Sequence, residues 1–514
     1  MKRREFMETT LGVAAGALVG CDACTSAAST PPQVEVAASS SLSAAPASPV
    51  DLEVVLTAAP DRIPLLPGQP TDVLRFSASI AKGARDALVQ PASGYLGPTL
   101  RVKRGQRVRV RFNNNVGEDS IVHWHGLYVS EANDGHPRHS VASGKQYLYD
   151  FQVDNPAGTY WYHPHPDHRT GVQVYAGLAG LLVITDDDER RIGLPDGDQD
   201  ISLVLQDRSF DANNQLSYSP NPMTGFLGDR MLVNGQLPQT REVRSGPHRL
   251  RILNGSNSRI YKLGWSNGSP LVVIGTDGGL LAAPQQRTEI ALAPAQRIEL
   301  WANFGADLGN DVWLESHAFD DPSPAMGMGM GMMGRGGAGA PGVPQGAPLR
   351  IQRFVASGDG RQSRVPDRLV SHSIPSAAEV SNTKTFATRM QMMGWLLNDR
   401  SFEMQGVAAN EHVRLGTVEE WEFVNPNGMM PMPHPIHVHG RQFRIIDRQP
   451  GPGFASLRQA LFDEGWLDTF LLLPGDKVRI RVRFDRYAGM FLYHCHNLEH
   501  EDLGMMRNYL VEAG

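Results

Sequence analysis

Apolar residues recur at alternate positions in short runs along most of the chain, the period of a half-buried strand rather than of a helix. Lys477-Val-Arg-Ile-Arg-Val-Arg-Phe484 is the plainest case. Strand-like runs, some alternating and some continuously apolar, predict strands over Thr99–Phe112, Gln146–Val153, Gly158–His163 and Gly180–Thr185, and again over Glu411–Asn425, Lys477–Phe484 and Gly489–His494. Between them, His248–Asn254 and Arg297–Phe304 keep the pattern. Gly158-Thr-Tyr-Trp-Tyr-His163 aligns with Gly489-Met-Phe-Leu-Tyr-His494 as a direct internal repeat. The chain therefore reads as all-β, with three consecutive β-sandwich repeats at 53–188, 189–355 and 385–514 and a linker at 356–384. Its 514 residues suit three domains at roughly 100–200 residues each.

Composition agrees. With 53 glycines, 36 prolines and 41% hydrophobic residues, the chain is turn-rich and able to bury a core. A net charge of −6 excludes the basic footprint of a nucleic-acid binder. No apolar run reaches the roughly 18 residues of a membrane span. Lys2, Arg3 and Arg4 followed by a glycine-diluted apolar stretch predict a twin-arginine-type export signal over 1–30, then a disordered Ser/Ala/Pro-rich linker over 31–52. Leu18-Val19-Gly20-Cys21 resembles a lipoprotein box that would leave Cys21 as a lipid anchor; cleavage near Ala27 and Ala28 would discard it. The expected location is periplasmic or otherwise extracytoplasmic, and the expected state a monomer.

Three cysteines occur, and Cys21 and Cys24 lie in the leader. Cys495 then has no partner for an internal disulfide and is free for other chemistry. It sits in His494-Cys495-His496, followed by His500 and Met505. Three further motifs are His123-Trp-His125-Gly, His163-Pro-His165 and His434-Pro-Ile-His437-Val-His439-Gly. With 17 histidines, chance predicts about 0.5 His-x-His pairs, and four are present. On an extended strand, residues two apart face the same side, so each pair aims two imidazoles at one point. Eight imidazoles are too many for one metal and suit a small cluster. Cys495 has the opposite parity to its flanking histidines, as His434 has to His437. His434, Cys495 and His500, with Met505 as a weak axial thioether, form the donor set of a blue-copper electron-transfer site. Zinc accepts two histidines and a thiolate but has no need of the thioether.

These motifs match, residue for residue, the ligand signatures of the multicopper oxidases, the family of laccases, ascorbate oxidase and bacterial cuprous oxidases. The resemblance runs from about residue 60 to the C-terminus. It implies three cupredoxin-like Greek-key domains and four coppers per chain. His434, Cys495, His500 and Met505 would hold the type 1 copper, and His123 and His437 the type 2 copper. His125, His163, His165, His439, His494 and His496 would hold the type 3 pair. The three-copper cluster is expected between the first and third domains, with the middle one as a spacer. Dioxygen would be reduced to water by electrons that enter singly at type 1 and travel through Cys495 to its neighbouring histidines. By the same resemblance Asp134 and Glu501 would supply protons; the bland alternatives are a turn-capping aspartate and a solvated glutamate. Asp468 is expected to orient a type 1 histidine.

The reductant is less sharply marked. Met326, Met328, Met330, Met332 and Met333 crowd a glycine-rich loop at 322–348, and Met430 and Met432 precede His434. Thioethers are soft and select Cu(I), and alternating glycine builds no packed face. These methionines are candidate substrate ligands, although Met430 stands where cuprous oxidases have an aspartate. The reading is an exported oxidase of Cu(I) and small phenols that serves copper tolerance. A laccase-like oxidase of organic compounds, Mn(II) or Fe(II) is one alternative, and a copper-buffering binding protein is another.

Overall fold

The structure is a computed structural model describing residues 49–321, 342–360, 362–391, 394–428 and 432–514. The leader, Cys21, the Met326–Met333 run and Met430 lie outside the described residues. Residues 49–514 form one compact unit, in which strands dominate and sort along the chain into three groups.

In the first group, Leu52–Ile63, Thr71–Lys82, Arg107–Asn114 and Lys145–Gln152 make one sheet. Leu88–Val89, Thr99–Lys103, Gly180–Thr185, Gly158–Pro164 and Val122–His125 make the facing one. The last group repeats this plan. Gly394–Leu397, Val380–Gln391, Thr417–Val424, Lys477–Phe484 and Phe443–Gln449 form one layer. His412–Arg414, Met506–Glu512, Gly489–Cys495, His434–Val438 and Thr469–Leu472 form the other. In the middle group, the long strand Arg241–Asn254 joins the two layers. Its first residues pair with Leu349–Asp359, and its later ones with Asp200–Arg208 and Arg297–Phe304.

The alternating pattern is what builds these layers. In Lys477–Phe484 the side chains of Val478, Ile480, Val482 and Phe484 are fully buried, each contributing roughly 1.5–3 kcal/mol. Two expected strands are each broken in two. Thr99–Phe112 is interrupted by a turn at Gly105, and Glu411–Asn425 by one at Gly416. Both glycines have φ near +90°, a conformation that ends a strand, and each turn sends the chain to the opposite layer. All four motif strands lie in the two corresponding layers, one per outer group.

Candidate metal centre

Strand pairing brings the motifs together. Val122–His125 runs antiparallel to Gly158–Pro164 with His123 opposite His163. His434–Val438 runs antiparallel to Gly489–Cys495 with His437 opposite His494 and Ile436 opposite Cys495. The two outer groups then meet. The Asp502 carboxylate accepts the Thr170 and Gly171 N–H groups at 2.9 and 2.8 Å, and Glu131 Oε2 accepts the Met490 N–H at 2.8 Å. At this junction His123, His125, His163, His165, His437, His439, His494 and His496 converge, every one buried.

The second nitrogen of each ring shows which one faces the centre. His123 Nδ1 donates to the Asp134 carbonyl at 2.6 Å and His437 Nδ1 to the Asp468 carbonyl at 2.8 Å. Their Nε2 atoms therefore carry lone pairs, and they face each other at 3.4 Å. His439 Nδ1 donates to Asp134 Oδ2 at 2.8 Å and His494 Nδ1 to the Cys495 carbonyl at 3.1 Å. Their Nε2 atoms face each other at 3.0 Å, with His165 Nε2 3.4 Å from that of His494. His125, His163 and His496 form a third set, with ring centres 5.2 to 5.7 Å apart. His125 Nδ1, His163 Nε2 and both nitrogens of His496 have no hydrogen-bond partner. Burial, and then the neighbouring imidazoles, push His163 down to about 3 and hold His123, His437 and His496 well below their usual range. These are neutral imidazoles whose lone pairs point at one another, an arrangement that a cation between them would relieve.

On the other face of the same strands, Cys495 Sγ lies 3.5 Å from His434 Nδ1 and 3.7 Å from His500 Nδ1. Met505 is fully buried in the same apolar core, and its carbonyl accepts the Cys495 N–H at 3.0 Å. Met432 is also buried in that core. Burial pushes the Cys495 thiol up, so only a bound cation makes it a thiolate here.

The surrounding carboxylates differ. Asp134 ends the short helix Glu131–Asp134, and burial, opposed by Arg441, lifts its carboxyl to about 8. Glu501, on the helix Leu498–Asp502, places Oε2 3.1 Å from His494 Nδ1 and Oε1 3.5 Å from His165 Nε2. Neither contact has hydrogen-bond geometry, so both oxygens lack partners. Asp468 overturns its expectation. It does not touch the Cys495 centre; its Oδ1 accepts from His125 Nε2 at 3.0 Å and its carbonyl from His437, behind the eight-histidine cluster.

Several contributors carry no local signal in sequence. The Trp395 ring lies 4.8 Å from that of His434 and 4.5 Å from that of His500, and its Nε1 donates to the Pro222 carbonyl at 2.9 Å. His500 Nε2 donates to the Met223 carbonyl at 2.8 Å. Both carbonyls come from the middle group, which is therefore more than the spacer expected from sequence. A cleft of about 560 Å³ reaches His434 between Trp395, Met390, Arg389, Asn425 and Pro426.

Two family models, each described as multicopper oxidase, match residues 75–189 and 372–514. The multicopper oxidase mco of Staphylococcus haemolyticus is 31% identical over 420 residues, covering 80% of this chain and 81% of that protein. The chain belongs to the multicopper oxidase family. Among solved structures, the multicopper oxidase McoA of the hyperthermophile Aquifex aeolicus superposes with a TM-score of 0.75 at 33% identity, covering 90% of this chain and 97% of that one. The laccase-like multicopper oxidase CueO of Ochrobactrum sp., described as active towards lignin model compounds and lignosulfonate, gives 0.73 at 29% identity, covering 90% and 97%. The three sandwiches are cupredoxin-like, as in these multicopper oxidases. Copper is the metal that this family implies. The imidazole sets and the His₂Cys set with a thioether nearby fit it by donor chemistry.

Proposed function

We propose that this multicopper oxidase takes electrons singly from a reductant at the Cys495 centre and delivers them to dioxygen at the histidine cluster. Four coppers would supply one-electron storage and the four-electron reduction of dioxygen to water. His434, Cys495 and His500, with Met505, would hold type 1, and His123 and His437 type 2. The type 3 pair would be held by His125, His163 and His496 and by His165, His439 and His494. The observation that carries this reading is the cluster itself, where buried, neutral imidazoles turn lone pairs towards one another at 3.0 to 3.4 Å. Cys495, covalently joined to His494 and His496, provides the route between the centres. Trp395 and the Met223 carbonyl cover His500 and exclude water from it. Asp134 retains a proton beside His439, and Glu501 offers unpartnered oxygens beside His165 and His494; both are assigned to proton delivery.

The proposed reductants are Cu(I), through the soft thioethers of Met326, Met328, Met330, Met332, Met333, Met430 and Met432, and small phenols. The physiological role would be copper tolerance outside the cytoplasm, after export and with or without an anchor at Cys21. The cleft beside His434 favours a second reading, a laccase-like oxidase of organic substrates, because it is roomy enough for an aromatic ring. Oxygen uptake by the copper-loaded protein, with and without Met326–Met333, separates the two. Uptake driven by Cu(I) that falls on deletion supports a cuprous oxidase. Phenol-driven uptake with no response to Cu(I) sinks it. Copper tolerance that survives Cys495→Ser would instead point to buffering.

A further inference from the structure

Three ionisable side chains stand behind the histidines, and none of them is a proposed copper ligand. Arg297, Asp277 and Asp468 are each wholly buried. Arg297 forks onto Asp468, Nη1 donating to Oδ1 at 2.7 Å and Nη2 to Oδ2 at 2.5 Å. Its Nε donates at 3.0 Å to the carbonyl of Thr159, on the strand that carries His163. Nη1 and Nη2 also reach the Ala295 and Asp277 carbonyls at 3.1 and 3.0 Å. Asp277 closes the arrangement. Its Oδ1 accepts the Arg297 N–H at 2.7 Å, and its Oδ2 accepts those of Asp468 and Thr469 at 3.2 Å each.

Asp468 holds two histidines in opposite tautomers. Its carboxylate accepts from His125 Nε2, leaving the Nδ1 lone pair inward, while its carbonyl accepts from His437 Nδ1, leaving the Nε2 lone pair inward. A neutral imidazole without such a partner exchanges between tautomers, and the wrong one turns an N–H towards the cluster. The glycine that follows His123-Trp-His125 belongs to the same arrangement. A Cβ at Gly126 would lie 2.5 Å from Asp468 Oδ2 and 2.8 Å from Arg297 Nη2.

We infer that Arg297, from the part of the chain that supplies no ligand to the four proposed resident coppers, is a positioning residue for the cluster: its guanidinium fork orients Asp468, and Asp468 sets the inward nitrogens of His125 and His437. The inference deepens the copper reading and rests on it for its effect on turnover.

The test uses Arg297→Gln, Arg297→Lys and Asp277→Asn in the full chain. In copper-free protein, ¹⁵N spectra of labelled histidine report which ring nitrogen carries the proton. In loaded protein, copper content, the paramagnetic signal of the cluster and steady-state kinetics are measured. Arg297→Gln is expected to convert His125 from a single Nε2–H form to a mixture. It should also lower cluster copper or alter its signal, and reduce kcat roughly 10–100-fold. The KM for reductant and the absorption of the Cys495 centre should stay unchanged. Arg297→Lys, which keeps the charge but not the fork, should recover part of this, and Asp277→Asn should move the same readouts less. Arg297→Gln protein that loses thermal stability alone, with tautomer, signal and kcat intact, overturns the inference. Should that variant not fold, unchanged tautomers in both others overturn it equally. Tautomers that shift in protein unable to bind copper would uphold the positioning role and count against the copper reading.

Discussion

Cys495 links the two proposed centres, since its thiol faces one and its chain neighbours His494 and His496 face the other. Cys495→Ser is expected to abolish the thiolate–copper colour and all turnover while the histidine cluster still loads; absorption and copper analysis check this together. Asp134 differs in kind. Asparagine there still accepts from His439 Nδ1 but cannot give up a proton, so Asp134→Asn should keep its copper and lose roughly 10²–10⁴-fold in kcat. Gly126 tests steric fit. A methyl group at φ +86° against Asp468 and Arg297 should cost about 2–4 kcal/mol, measured by urea unfolding of copper-free protein.

The elements show where a one-dimensional pattern suffices and where it stops. Lys477–Phe484, Arg297–Phe304 and Gly180–Thr185 have the bounds read from the sequence: the first alternates because one face is buried, while the other two are buried on both faces and read as short apolar runs. Alternation could not see that Thr99–Phe112 and Glu411–Asn425 change layers midway, since both sides of each turn keep the same alternation. The site divides similarly. His-x-His on a strand is a local signal, so every motif histidine was legible. Trp395, Met223 and Arg297 act through partners far away in sequence, and nothing beside them marks it. Buried arginines inside strands are the nearest thing to a signal. Arg249, Arg251 and Glu299, together with Glu189 and Asp200, form a buried ionic network across the middle strands. Burial opposes ionisation of Glu299, but Arg249 and Arg251 outweigh it and hold the carboxyl down at about 2. A depressed carboxyl gives its stabilisation above its unfolded value near 4.5 and loses it as pH falls towards 2. Glu299→Gln should therefore cost roughly 3–5 kcal/mol at neutral pH, and the gap from wild type should narrow between pH 4.5 and 2. Urea midpoints across that range would show it.

At the scale of the whole molecule, the cluster is a joint between the two ends of the chain. Copper removal should lower the thermal midpoint, since metal at about 1,000 times its Kd adds roughly 4 kcal/mol per site. Hydrogen exchange should rise first in Val122–His125 and His434–Val438, whose imidazoles are then left facing one another. Calorimetry and exchange on the copper-free protein check both. The joint also imposes an order of assembly. At synthesis rates of roughly 5–20 residues per second, His123 to His165 emerge tens of seconds before His434. During that interval His123 and His165 lack His437 and His494, the rings they face, and the His439–His494 pair does not yet exist. The full set of donors thus exists only after the last sandwich has closed on the first, so any metal they share would load late.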